Sequence, residues 1–256
     1  MTKKSKYFFL NISILVLLII MIFSGFRLIQ RKSSEKEVSE LIALRSSENF
    51  EASELIEADP IEIYNEQPEI KYDYKPNKNS EYLAINSDFT GWITIADTVI
   101  DYPIVRGSDN EFYLNRNIYK MSSDAGAIFM DYRNIGQFND QHTIIYGHYM
   151  KNGTMFGGLH EYKEETYFKT HDKIKLSGLY GEKTYTIFSA YIVSAGDYKL
   201  EIDLMDGDYE NYVQTLQSNS MHKKDFIFNE DKALLTLATC SYEIENGRIV
   251  IHAIED

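Results

Sequence analysis

The chain has 256 residues, 44% hydrophobic and 25% charged, with four prolines and one cysteine. That length holds one ordinary domain with appendages or two small ones, and the composition excludes both a disordered chain and a multi-span membrane protein. A lone cysteine excludes an intramolecular disulfide framework and Cys-built zinc or iron–sulfur centres. The net charge of −13 argues against a nucleic-acid binder, which carries a basic footprint.

The charge divides unevenly. Residues 1–34 contain no acid and six bases, Lys3, Lys4, Lys6, Arg27, Arg31 and Lys32. Residues 35–256 hold all 39 acids against 20 bases, a net −19. Within the basic head, residues 7–26 (YFFLNISILVLLIIMIFSGF) carry no charge. A helix of that length spans roughly 30 Å, the thickness of a bilayer core. A cleaved signal peptide has a shorter apolar region and a small-residue cleavage site, and this run is longer. The reading is a cytoplasmic tail over residues 1–6 and a retained transmembrane anchor over 7–26. Bases flank the span equally, so the positive-inside rule discriminates weakly. The acidic body lies wholly on one side, expected to be the outside.

Residues 27–79 are expected to form a helical stalk and connector. Within 35–57, Val38, Leu41 and Ile42 recur at helical spacing, with Leu55 and Ile56 further on. Asp59-Pro60 stops that helix, and three of the four prolines fall within residues 60–80. From Gly91 onward, short runs rich in Ile, Val, Thr, Tyr and Phe replace the helical pattern. Strands are expected at Trp92–Ile95, Val99–Val105, Ala127–Met130, Thr143–Tyr146, Lys173–Ser177, Lys183–Val193, Ala233–Thr239 and Arg248–Ile254. Eight short strands separated by turn signals favour a barrel or sandwich of mainly β (α+β) class. Two helices interrupt them, one capped by Thr154 and running through Tyr162, the other over residues 208–218, with Tyr209, Tyr212, Val213 and Leu216 on one face.

Cys240 ends one of these strands. A lone cysteine is commonly buried and inert. An unpaired thiol facing an oxidising exterior is a liability unless it is used. The residues alone leave both readings open. A nucleophilic thiol needs a base or a cationic neighbour. Of the six histidines, His148 is the best placed, just past the strand Thr143–Tyr146 and Gly147. His142, His160, His171 and His252 read as structural or surface residues, and His222, beside Lys223-Lys224, reads as solvated. Arg248 opens the last strand and faces Cys240 across the hairpin, where its guanidinium can donate to a carbonyl or an oxyanion; an exposed strand-end Arg is the plain alternative. The chain has no Gly-rich phosphate loop, H-E-x-x-H or G-x-S-x-G. Asn152-Gly153-Thr154 fits a glycosylation sequon, but a turn and a helix cap explain it.

Together these positions resemble the sortases, cysteine transpeptidases of Gram-positive cell surfaces. Thr236-Leu237-Ala238-Thr239-Cys240 is similar to their T-L-x-T-C signature, Arg248 lies where they carry an Arg, and Ile144-Ile145-Tyr146-Gly147-His148 matches their catalytic His. Gly91-Trp92-Ile93, Ile100–Val105, Asp109-Asn110 with Tyr113-Leu114, Phe129–Asn134 and Met150–Phe156 resemble class B. The resemblance covers residues 80–256, the expected catalytic domain. It implies a closed eight-stranded sortase β-barrel with N-terminal helices and a helix between the sixth and seventh strands.

The resemblance further implies that Cys240 attacks after Thr in a C-terminal sorting signal, NPQTN-like or [S/P]PxTG-like. A thioacyl intermediate then passes to a peptidoglycan amine. His148 serves as acid and base, and Arg248 steadies the oxyanion. Asn110 and Leu114 line the substrate groove, with Leu159 and residues 191–207 nearby. Ala238, Thr239 and Ser241 stand at the motif's substrate contacts. Class B members often carry Ser at the first of those three positions and an acid at the last, so Ala238 and Ser241 depart from the pattern. No cofactor and no metal is implied, although class A members bind calcium. The implied partners are sorting-signal-bearing surface proteins, the peptidoglycan amine and the membrane. The implied location is the cell membrane, single-pass, with the catalytic domain extracellular. Two alternatives stand beside this reading: another exported cysteine acyltransferase or peptidase acting on cell-wall peptides, and a surface binding module with an inert Cys.

Overall fold

The computed structural model describes residues 78–256 apart from 195, 197–199, 203–208, 227 and 242–246, together with Met21, Lys36 and Ser39. The expected tail, anchor, stalk helix and connector therefore lie almost wholly outside the described residues. No helix among the described residues is long and apolar enough to cross a membrane.

Eight strands form, one for each expected run. They are β1 (Phe89–Ile95), β2 (Asp101–Val105), β3 (Ile128–Met130), β4 (His142–Tyr146), β5 (Lys173–Gly178), β6 (Glu182–Ser194), β7 (Leu234–Ser241) and β8 (Gly247–Glu255). They close into a barrel in the order β1-β2-β3-β4-β7-β8-β6-β5. The pairs β2–β3 and β4–β7 are parallel, and the rest are antiparallel. Closure leaves no unpaired lateral edge for another chain to extend.

Boundaries differ from expectation where side chains compete with the ladder. β2 begins at Asp101 rather than Val99. Thr98 Oγ1 donates to the Ile95 carbonyl at 2.8 Å and accepts from the Ile100 amide at 3.0 Å, which turns the chain first. β1 starts earlier than expected, at Phe89, with an irregularity between Phe89 and Gly91. β7 continues through Cys240 to Ser241, paired to Gly247.

Alternation sorts the strands' side chains between two faces. Ile93, Ile104, Ile145, Leu176, Ile187, Leu235, Leu237, Ile249 and Ile251 fill the interior, each fully buried. At roughly 1.5–3 kcal/mol for each large apolar side chain, this layer is the main favourable term. Three smaller clusters cover the outside. One forms beneath a 3₁₀ segment, Lys78–Ala84, with Tyr82, Phe89, Trp92 and Tyr113. Trp92 Nε1 donates to Asp101 Oδ1 at 2.6 Å, so its polar edge is satisfied where the ring is buried.

Among the described residues from 78 onward, the α-helices are α1 (Glu165–Thr170) and α2 (Tyr209–Ser218). α2 matches the expected helix between the sixth and seventh strands. Tyr209, Val213 and Leu216 bury one stripe against Phe188, Leu234 and Ile254. Ser189 Oγ donates to the Leu216 carbonyl at 2.6 Å, satisfying an acceptor the last turn leaves open. α1 has no counterpart in the sequence reading. The expected helix capped by Thr154 is corrected. The segment is a 3₁₀ helix, Phe156–Lys163, and its cap position is Met155, at φ 55°. Thr154 Oγ1 instead donates to Asn152 Oδ1 at 2.8 Å, closing the Gly153 turn.

Candidate active site

Three adjacent strands bring the expected catalytic positions together. In the antiparallel β7–β8 pair, Cys240 stands directly opposite Arg248. Arg248 also pairs with Val193 on β6 and is half-buried. In the parallel β4–β7 pair, Tyr146 is level with Ala238, and the Gly147 amide donates to the Ala238 carbonyl at 3.2 Å. His148 and Cys240 each lie two residues beyond that level rung. The chain thus places His148, Cys240 and Arg248 side by side at one rim of the barrel.

Two glycines make room there. A Cβ on Gly147 would lie 2.4 Å from Ile128 Cδ1 and 2.8 Å from the Phe156 ring. Gly126 has φ +61°, and a Cβ there would lie 2.6 Å from the Tyr113 and Leu114 carbonyls and 3.1 Å from His148 Cδ2. The half-buried His148 ring rests in the space so left. Its Nε2 is 2.6 Å from the Leu114 carbonyl oxygen. A carbonyl only accepts, so Nε2 carries a proton and Nδ1 is the ring atom left to exchange one. The sequence placed Leu114 in the substrate groove only through the family resemblance. The structure adds its carbonyl as the group that orients His148.

Asn110 is held by an ion-pair network absent from the sequence reading. Its Nδ2 donates to Asp131 Oδ2 at 3.0 Å, and its Oδ1 accepts from the Tyr132 amide at 3.0 Å. Asp131 is fully buried and also accepts from Arg133 Nε and Nη2, each at 2.8 Å, and from the Tyr146 hydroxyl at 3.0 Å. Burial alone would raise its pKa. Hydrogen bonds from the Arg133 side chain and backbone and from Asn110 outweigh that and hold the carboxyl below its ordinary value. The run Phe129–Asn134 signalled this network only as part of a resemblance. Nothing in composition marks Asp131 among 39 acids.

The floor beside the rim is apolar. Tyr191, Ala238 and Val250 form a buried cluster, with Tyr146 and Val193 packed against it. Ala238 is therefore part of the floor. Thr239, of opposite parity, is also buried, and its hydroxyl has no partner among the described residues. Ser241 is placed by its backbone, opposite Gly247. The other histidines sit elsewhere. His142 and His252 are fully buried. His160 packs on Tyr149 with ring centroids 4.3 Å apart, and His171 stacks on Tyr167 at 4.0 Å. His222, expected to be solvated, is half-buried: its Nε2 donates to the Tyr162 carbonyl at 3.0 Å, and its ring packs on Phe168.

The Sortase domain family model matches residues 93–256. The chain belongs to the sortase family. It is similar to sortase B of Listeria monocytogenes, 36% identical over 170 residues that cover 65% of this chain and 69% of the relative. Sortase B of Staphylococcus aureus is 32% identical over 172 residues, covering 66% and 70%. Among solved structures, Clostridium perfringens sortase B superposes with a TM-score of 0.66 at 36% identity, covering 69% of this chain and 98% of that one. This sortase is of class B and is a cysteine transpeptidase, and its closed eight-stranded barrel is the fold of those structures.

Proposed function

We propose that this sortase cleaves a C-terminal sorting signal, NPQTN-like or [S/P]PxTG-like, after its Thr and transfers the surface protein to a peptidoglycan amine. The observation that carries the reading is the register itself: Cys240 opposite Arg248, with the Gly147–Ala238 bond drawing His148 alongside. A similar solved structure, 30% identical with a TM-score of 0.66 and covering 70% of this chain, is a Staphylococcus aureus sortase B–substrate complex.

In this reading the Cys240 thiolate attacks the Thr carbonyl carbon. Arg248 donates hydrogen bonds to the oxygen as it gains charge. His148, protonated at Nδ1 as well as Nε2, gives the Nδ1 proton to the departing amine, and a thioester remains on Cys240. The acceptor amine then attacks the thioester and loses its proton to His148 Nδ1. The new amide leaves, and the thiolate is restored. Each proton returns to its starting place, and the chemistry balances with no added redox partner. Asn110, fixed at both ends of its amide, and Leu114 supply contacts along the peptide, while Ala238, Thr239 and Ser241 supply the motif's own.

The uncharged run 7–26 supports a single-pass anchor, with residues 1–6 cytoplasmic, 27–79 as stalk and connector, and the domain from residue 80 outside the cell. The test is mass spectrometry of products from the full-length protein, a panel of sorting-signal peptides and a peptidoglycan-like amine. The expected result is an amide between peptide and amine, lost entirely in Cys240→Ala. Cleavage by Cys240→Ala overturns the reading. Release of free acid alone, with amine present, favours the hydrolytic alternative.

A further inference from the structure

Asp131 directly follows β3, and its carboxylate is fully buried. In a thiol or serine enzyme a buried carboxylate commonly orients the active histidine. Here the Leu114 carbonyl holds His148 instead, and Asp131 holds other groups. Its Oδ1 accepts from the Arg133 amide at 3.0 Å and from Arg133 Nε at 2.8 Å. Its Oδ2 accepts from Arg133 Nη2 at 2.8 Å, and from Asn110 Nδ2 and the Tyr146 hydroxyl at 3.0 Å each. With donors on both oxygens the group is the anion, which only accepts.

That anion decides which way Asn110 faces. The two ends of an amide side chain have nearly the same shape, so its partners set its orientation. Asp131 only accepts, so Nδ2 turns to it. The Tyr132 amide only donates, so Oδ1 turns to that, at 3.0 Å. The Tyr132 carbonyl is in turn held by Arg106 Nη1 at 3.1 Å. One hydrogen of Nδ2 is thereby used, and among the described residues no acceptor takes the other. The side chain is half-buried, which leaves this N–H open to a ligand.

Tyr146 and Leu114 place Asn110 at the rim. Tyr146 shares Asp131 Oδ2 with Asn110, and its ring packs on the floor of Tyr191, Ala238 and Val250. It is level with Ala238, which precedes Cys240 by two residues. On the other side of Asn110, Asp109 Oδ1 accepts from the Glu111 and Phe112 amides at 2.9 and 2.8 Å and starts the turn Phe112–Leu114. That turn ends at the carbonyl bonded to His148 Nε2. Asn110 is thus bracketed by the floor beside Cys240 and by the support of His148. A staple for stability alone explains the network poorly, because desolvating a buried carboxylate offsets most of what its partners return.

We propose that Asp131 is a positioning residue of this transpeptidase: it touches no reacting atom, but its carboxylate locks the Asn110 amide so that the second N–H donates to a carbonyl oxygen of the bound acyl donor. This rests on the functional reading above.

The test is a double-mutant cycle on the full-length enzyme in detergent micelles, with a fluorogenic NPQTN-type or [S/P]PxTG-type peptide, whichever it cleaves, and thermal melts to show folding. Asn110→Ala removes the donor, and Asp131→Asn keeps the shape but removes the charge. Each alone is expected to raise KM roughly tenfold with kcat within about twofold, the scale of one hydrogen bond in binding. The double variant is expected to be no worse than the worse single one, because Asp131 acts through Asn110. An Asp131 that is merely structural gives effects that multiply, to about a hundredfold in KM. That result, or an unchanged KM in either folded single variant, overturns the proposal. Should Asp131→Asn fail to fold, Asn110→Asp decides. It removes the N–H and sets a second carboxylate against Asp131, and is expected to raise KM further than Asn110→Ala does. A KM no higher than that of Asn110→Ala overturns the proposal. A wild-type enzyme inactive on every sorting-signal peptide overturns the functional reading and this proposal with it; an active one with multiplying effects overturns only the proposal.

Discussion

β4 carries a histidine at each end of one face, and the two have opposite environments. His148, two residues past the strand, is half-buried, with one ring nitrogen committed to the Leu114 carbonyl. His142, at the start of the strand, is fully buried, with both nitrogens committed. A ring can cycle a proton only if one nitrogen is left for it and its charged form is tolerated. Partner count and burial, not the residue type, separate the two rings, and they are what fits His148 rather than His142 to the proposed acid–base role.

The largest test of that contrast is activity. His148→Ala is expected to lower kcat/KM by roughly 10²–10⁴-fold, the usual scale of general acid–base catalysis, with the melting temperature little changed. Peptide cleavage kinetics with a thermal melt check it; a slow, destabilised variant would dissolve the contrast. Arg248→Ala is expected to fall in the same range through loss of oxyanion stabilisation.

The next effect is on stability and belongs to His142. Its folded pKa, about 4, lies below the ordinary value of 6.5. Below pH 6.5 the unfolded chain takes up a proton that the folded chain refuses. Stability is therefore fully present above that pH and is lost as pH falls toward 4, by up to about 3 kcal/mol. His252 acts in the same direction. Urea midpoints at pH 7 and pH 4.5 measure it, and a flat profile would mean the rings are not buried neutral.

A smaller effect compares two glycines of positive φ. Gly126→Ala meets the Leu114 and Tyr113 carbonyls at 2.6 Å, whereas Gly153→Ala, at φ +82°, meets nothing within 4 Å. Both pay a backbone penalty of about 1 kcal/mol, but only Gly126→Ala is expected to move the carbonyl that orients His148 and so lower kcat. Equal kcat in the two variants would detach Leu114 from the His148 ring's function.

Much of the barrel was legible because each strand is an apolar run closed by turn residues. Strand number and the late helix follow from period alone, and the strand-end positions of Cys240, His148 and Arg248 follow from the same runs. The order of strands was not legible from the residues, since β4–β7 pairing is set by the whole barrel rather than by any local pattern. Asp131 and the buried hydrogen-bonded chain His142–Thr236–His252 were missed for a related reason. Their significance lies in donors brought from segments dozens of residues away, and each alone looks like an ordinary strand residue. Thr154 misled because its hydroxyl turned back to Asn152 instead of forward into a helix.

The parallel β4–β7 pair has a consequence for biosynthesis. Its level rung joins Tyr146 to Ala238, 92 positions apart. Pairing at such separation is the slow, late kind of contact in folding. His148 and Cys240 therefore become neighbours only once the last two strands have emerged and the barrel has closed. Until then the thiol is an ordinary cysteine on an unfinished chain, without His148 beside it.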